Sequence, residues 1–199
     1  MEITEKKPRG RPLKFEQNAV LEMALSQFWA HGFEGTSISD LTSAMGIHRP
    51  SLYAAFGNKA ALFNACVTHY LSTELNFIEE TLKTSPLLIA IEALLEREIT
   101  LVENGRGCFL VQGAISCREE NNEIKALLND HRKTLEGKLR RRVQMAQMKN
   151  EVASTDSPAA IAKYIASIYQ GLSIQASGGA TKRELQEVAK IALKALTLR

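Results

Sequence analysis

TSISDLTSAMGIHRPSLYAAFGNK occupies residues 36–59, and its spacing decides how the rest of the chain is read. Ser37 stands just before an apolar-periodic run. Asp40, three residues on, reaches back to it in a variant of the capping box, so a helix starts here. Gly46 stops that helix. A second short helix follows from about Arg49 to Phe56, with Pro50 in its first turn, where a missing N–H does no harm. The glycine in Met45-Gly46-Ile47-His48 permits a sharp corner, and Leu41, Ala44, Ile47, Leu52 and Phe56 can lock it from inside. The pattern predicts a helix-turn-helix, whose second helix has the girth to enter a DNA major groove.

That second helix turns Arg49, Ser51, Tyr53, Ala54 and Ala55 outward. Arg49 can donate two hydrogen bonds to a guanine edge, Tyr53 can reach a phosphate, and an alanine methyl can meet a thymine methyl. Thr36, Ser37 and Ser39 supply hydroxyls and free backbone N–H groups at the start of the preceding helix, where phosphate is favoured. Lys59 opens the next helix and anchors the other flank. With His48 and Pro50 at the corner, these residues form the candidate DNA face. The same spacing also suits a packing corner that touches no DNA, and Tyr53 is readable in part as core, Trp29 wholly so.

The basic charge lies upstream of this segment. Lys6, Lys7, Arg9, Arg11 and Lys14 face only Glu2 and Glu5, so the first fourteen residues carry an excess equal to the +3 of the whole 199-residue chain. Pro8-Arg9-Gly10-Arg11-Pro12 cannot be helical and is expected to lie extended. It looks like the core of an AT-hook, in which slim cationic arms enter a narrow minor groove, and Arg9 and Arg11 are its candidate contacts. A solubilising leader is the alternative.

The remaining sequence is helical in pattern, with apolar residues three and four apart and no alternating runs. Helix one is expected from about Phe15 or Glu16 to His31, ended by Gly32. Asn58 caps a fourth helix that buries Leu62, Phe63, Cys66, Val67, Tyr70, Leu71 and Leu75. Ser85-Pro86 opens a fifth, ending near Asn104-Gly105, and CFLVQGAISC (108–117) reads as a buried helix. A seventh runs from about Asn122 to Lys149, with the Lys138–Arg142 run as its solvated outer face. Ser157-Pro158 starts an eighth, and Thr181 with Glu184 caps a ninth. The expected fold is all-α, about nine helices. Residues 1–14 form a basic arm, 15–60 a three-helix helix-turn-helix domain, and 61–199 a larger helical ligand-binding and dimerisation domain.

The run GFEGTSISDLTSAMGIHRPSLYAAFGNKAALF (residues 32–63) resembles the DNA-binding domain of the TetR/AcrR family of one-component bacterial regulators. The shared features are Gly32-Phe33, Thr36-Ser37, Gly46-Ile47, Leu52-Tyr53, Phe56 and Lys59-x-x-Leu62. They cover about a quarter of the chain, and the C-terminal GLSIQASGGATKRELQEVAKIALKAL also resembles family members. The resemblance implies nine helices, a dimer built by the last two, and a small-molecule pocket in the larger domain. Ala54 and Ala55 depart from the larger polar side chains many members carry there, which shifts base reading toward Arg49, Ser51 and methyl contacts.

Two apolar stripes mark the end of the chain. Ile161, Ile165, Ile168 and Leu172 on the eighth helix, with Leu185, Val188, Ala189, Ala192 and Leu196 on the ninth, suit a four-helix bundle across a two-fold axis. The bland reading is that they complete the monomer's core. Cys66, Tyr70, Phe109, Gln112, Cys117, His131, Tyr164 and Tyr169 are candidates for lining a ligand cavity, each singly also readable as core.

The expected function is a repressor on a palindromic double-stranded operator, working as a homodimer and released by an unknown small-molecule effector. Sensing of oxidants, electrophiles or a soft metal through the cysteines is one alternative, and a non-enzymatic helical interaction module another. No paired nucleophile and base, phosphate loop, cofactor motif or metal-ligand spacing occurs, so catalysis, cofactors and metals are not expected. Three unpaired cysteines, no export signal and no apolar run of bilayer length point to the cytoplasm, away from membranes.

Overall fold

The computed structural model describes residues 13–103, 107–111, 122–152 and 156–197. Arg9 and Arg11 of the expected arm, Gln112 and Cys117 lie outside the described residues. Among those described there is no strand. Eight helices follow one another: α1 (Leu13–Gly35), α2 (Ile38–Met45), α3 (Arg49–Phe56), α4 (Lys59–Leu82), α5 (Leu87–Glu103), α6 (Asn122–Met148), α7 (Pro158–Ser177) and α8 (Lys182–Thr197). Residues 109–111 are also helical and make a ninth segment between α5 and α6.

Caps set most of these boundaries. Asn58 Oδ1 accepts the N–H of Ala61, and Ser157 Oγ that of Ala160, each satisfying a donor the helix start leaves open. Thr181 and Glu184 form the full reciprocal box ahead of α8. Gly32 breaks α1 with φ 70°, so the regular helix stops where the sequence says and one further turn carries Phe33 into the core.

Two layers share one continuous apolar core. α1 packs on α2 and on the first half of α4, through Leu21, Ala24, Leu25 and Phe28 against Leu62, Phe63, Cys66 and Val67. α5 lies at the centre of the second layer, against α4, α6, α7 and α8. At 24 residues, α4 is about 36 Å long, enough to belong to both layers. No described helix is long and apolar enough to cross a membrane.

One expectation fails on α6. Arg142 is not on a solvated face; it is buried, with a guanidinium nitrogen 2.6 Å from Glu151 Oε2 and 3.0 Å from the carbonyl of Thr84. Leu139, Arg142, Val143 and Ala146 fall three and four apart and share the inner stripe, while Arg140 and Arg141 stay exposed. The Ser85 hydroxyl, and then Arg142, hold the Glu151 carboxyl down to about 2. Its second oxygen also takes the N–H of Leu87, so the pair fastens the start of α5 to the end of α6.

Candidate nucleic-acid interface

Local chemistry fixes the corner between α2 and α3. Ser37 Oγ accepts the N–H of Asp40, and Asp40 Oδ2 accepts both the Ser37 N–H at 2.8 Å and its hydroxyl at 2.6 Å. Those bonds hold the exposed Asp40 carboxyl below its ordinary value. At the other end Gly46 adopts φ 64° and ψ 29°, a left-handed geometry that costs a side chain strain. It lets the N–H of Gly46 and of Ile47 reach back to Ser43 and Thr42. Leu41 and Leu52 are fully buried, Met45 nearly so, with Ile47 and Phe56 half-buried around them.

α3 commits one residue fully to this core. Leu52 points in, while His48, Arg49, Pro50, Ser51, Tyr53, Ala54 and Ala55 are all exposed. Tyr53 keeps 48% of its surface, so it is mainly an outward residue. Arg49 makes no ion pair among the described residues, and its donors are free for a partner. Lys59 lies on the flank with its ammonium 4.4 Å from the centre of the Phe33 ring, a cation–π contact that fixes its position.

The start of α2 differs from expectation. Thr36 is fully buried, and its hydroxyl donates to the carbonyls of Gly32 at 2.7 Å and Gln27 at 3.3 Å. It ties the kinked end of α1 to α2 and has nothing to offer a phosphate. The Ser37 hydroxyl is exposed but engaged with Asp40, whose negative charge already answers the helix N-terminus.

The larger layer holds a narrow, partly open cavity of about 30 Å³, walled on one side by Leu71, Leu75, Ile78, Leu110, Val111 and Leu135. Its polar side brings together the expected Tyr70, His131 and Tyr169 with Glu74, Cys108, Arg132 and Gln170. Cys66 and Phe109 are buried away from it, and Tyr164 turns toward α8, donating to the carbonyl of Ala192 at 3.3 Å. Behind the wall lies Glu98, with no exposed surface. Its Oε1 accepts the N–H of Cys108 at 2.9 Å, and its Oε2 has no hydrogen-bond partner among the described residues. Burial raises its pKa against the opposing pull of Tyr169, Ser173 and the Cys108 N–H. Glu74 is paired with Arg97 at 2.7 Å.

Burial likewise lowers the pKa of His131 and raises those of the Tyr70 and Tyr169 hydroxyls. The thiols of Cys66 and Cys108 are pushed up to about 12 by the same cause. A thiol pKa raised in this way disfavours the thiolate, the reactive form of a cysteine. Glu74 and Glu98 were missed in the sequence, although each sits on an apolar stripe, Glu74 between Leu71 and Ile78 and Glu98 between Leu94 and Ile99.

The expected dimer stripes are also redistributed. Ile161, Ile165, Leu172, Leu185, Ala189 and Ala192 are buried within a single chain and have little surface left for a second copy. The apolar surface still open on α7 and α8 is Ile174, Val188 and Ile191, exposed by 45%, 44% and 70%, with Ile168 and Leu196 half-buried.

A family model described as "Bacterial regulatory proteins, tetR family" matches residues 20–66. The HTH-type transcriptional repressor ComR of Escherichia coli K12 is 30% identical over 194 residues, 95% of this chain and 92% of its own length. The HTH-type transcriptional repressor BdcR of the same organism is 32% identical over 128 residues, 61% of this chain and 65% of its own. Among solved structures, a cysteine mutant of the TetR family regulator CifR, complexed with 26-bp double-strand operator DNA, is 28% identical with a TM-score of 0.86. The match covers 96% of this chain and 100% of that one.

Proposed function

The chain belongs to the tetR family of bacterial regulatory proteins, and we propose that it is a homodimeric transcriptional repressor whose α3 reads a palindromic operator. The observation that carries the reading is α3 itself, which buries Leu52 and leaves Arg49, Ser51, Tyr53, Ala54 and Ala55 free. In this reading Arg49 supplies the base contact, Tyr53 and Lys59 grip phosphates, and Ala54 and Ala55 meet thymine methyls. Arg9 and Arg11 add a minor-groove arm from residues 1–14, ahead of a DNA-binding unit over 15–60.

Residues 61–199 are assigned to ligand binding and dimerisation. Ile174, Val188 and Ile191 offer the two-fold contact, setting two α3 helices about one DNA turn, roughly 34 Å, apart. A small molecule held between α4, α6 and α7 favours a form in which that spacing is wrong, and the operator is released. The work is binding, not catalysis, and its place is the cytoplasm.

Gel shift and light scattering test the reading together. Duplex from upstream of the protein's own coding region is expected to be retained by a dimer at moderate salt, and an unrelated duplex far less. Ile191→Asp, which charges the open stripe, is expected to give monomers and to lose most operator affinity. Equal retention of both duplexes by the wild type would contradict it.

A further inference from the structure

One amide is held from both layers of the molecule. The carbonyl of Gly107 accepts the indole N–H of Trp29, with Nε1 2.8 Å from the oxygen. The N–H of the next residue, Cys108, is donated to Glu98 Oε1 at 2.9 Å and Ser173 Oγ at 2.6 Å. That carbonyl and that N–H belong to one planar peptide group. Trp29 of α1 therefore holds one edge of a rigid plate whose other edge is held by α5 and α7. Each bond polarises the amide and strengthens the one opposite.

Aromatic packing carries the plate's position onward. The Trp29 ring lies 5.2 Å from Tyr70 and 5.5 Å from Phe109. Phe109 lies 5.4 Å from Phe63, which in turn meets Phe28 at 5.0 Å and Phe33 at 5.2 Å. Phe33 follows Gly32 and carries Lys59, at the edge of the DNA face. On the opposite side Tyr70 donates to the Cys108 thiol at 3.8 Å, and both residues line the cavity.

We propose that the Gly107–Cys108 amide is the joint through which the cavity sets the pose of α1, with Trp29 as a positioning residue for operator reading. The proposal rests on the operator reading above and adds the route by which the two sites communicate. The cavity is narrow, about 30 Å³, so an occupant that needs the pocket of about 300 Å³ or more usual for small-molecule sites has to displace part of its wall. Displacing Cys108 turns the plate, and the indole bonded to its far edge must follow or let go. On this route the clamped plate belongs to the operator-reading form, and a displaced Cys108 to the released one.

The test uses the full chain and two mild substitutions. Trp29→Phe removes the donor and keeps a ring; Ser173→Ala removes a partner on the far edge and touches neither α1 nor DNA. Fluorescence anisotropy gives the ratio of affinities for the upstream duplex and an unrelated duplex, and circular dichroism checks folding. Trp29 is the sole tryptophan, so its emission in wild type and Ser173→Ala reports on the joint directly.

Trp29→Phe is expected to lower the ratio about fivefold, the factor lost with one hydrogen bond, with affinity for the unrelated duplex unchanged. Ser173→Ala is expected to lower it in the same direction and to shift Trp29 emission. A wild type that discriminates while both variants keep its ratio within twofold would overturn the proposal. So would a loss confined to Trp29→Phe, with Ser173→Ala silent in ratio and emission. If the wild type fails to discriminate, the operator reading falls, and the emission alone then decides the joint: identical spectra refute it.

Discussion

α3 and the cavity solve opposite problems. α3 gives Leu52 to the core and holds six side chains out in water, arranged by a capped corner of two dozen residues. The cavity gathers Tyr70, Glu74, Cys108, His131 and Tyr169 from three helices and a connecting segment around about 30 Å³, and leaves the buried Glu98 behind its wall with one oxygen that has no hydrogen-bond partner among the described residues. A surface that meets a partner of fixed shape needs rigidity and exposure, which short-range bonds supply. A pocket that must respond needs a packing that yields, and an imperfectly satisfied polar group is where packing is least settled.

If this contrast is right, damage to the two regions has different consequences. Leu52→Ala removes the one side chain that seats α3 fully. It is expected to cost about 2–5 kcal/mol, read as a lower denaturant midpoint, and to abolish operator retention with it. A variant of wild-type stability would mean that α3 is held by something other than its core contact.

Glu98→Gln acts in the other direction and more weakly. Burial raises the Glu98 pKa in the fold, so its contribution to stability is complete below the ordinary value of 4.5 and lost as pH rises through the folded value. Glutamine keeps an oxygen for the Cys108 N–H and has no proton to lose. The variant is therefore expected to melt above wild type at pH 8, with the gap closing toward pH 4.5. A gap that does not change with pH would remove the strain assigned to this carboxyl.

The same contrast explains what could be read in the sequence. The Ser37–Asp40 box, the Gly46 turn, the Gly32 break and the Thr181–Glu184 cap are each decided within four residues, and all are present. Thr36 reads as a surface hydroxyl because nothing nearby reveals that the Gly32 break leaves a carbonyl waiting for it. Arg142 hides in a basic run whose members a helix sends to different faces. α7 and α8 are apolar on more than one side, and packing of α8 against α5 and α7 decides that Leu185 and Ala189 turn inward while Val188 and Ile191 stay open. Glu98 matters through Cys108 and Ser173, ten and more residues away in sequence, beyond the reach of any periodicity.

The central claim, that α3 reads base edges, is met most directly by Arg49→Ala. Its side chain is exposed and supports no packing, so fold and dimer are expected to persist. Titration against upstream and unrelated duplexes at one salt concentration gives the discrimination ratio. A fall of about 10- to 100-fold in that ratio, the worth of one bidentate base contact, is the predicted result; an unaltered ratio would contradict the assignment of α3 as the reading helix.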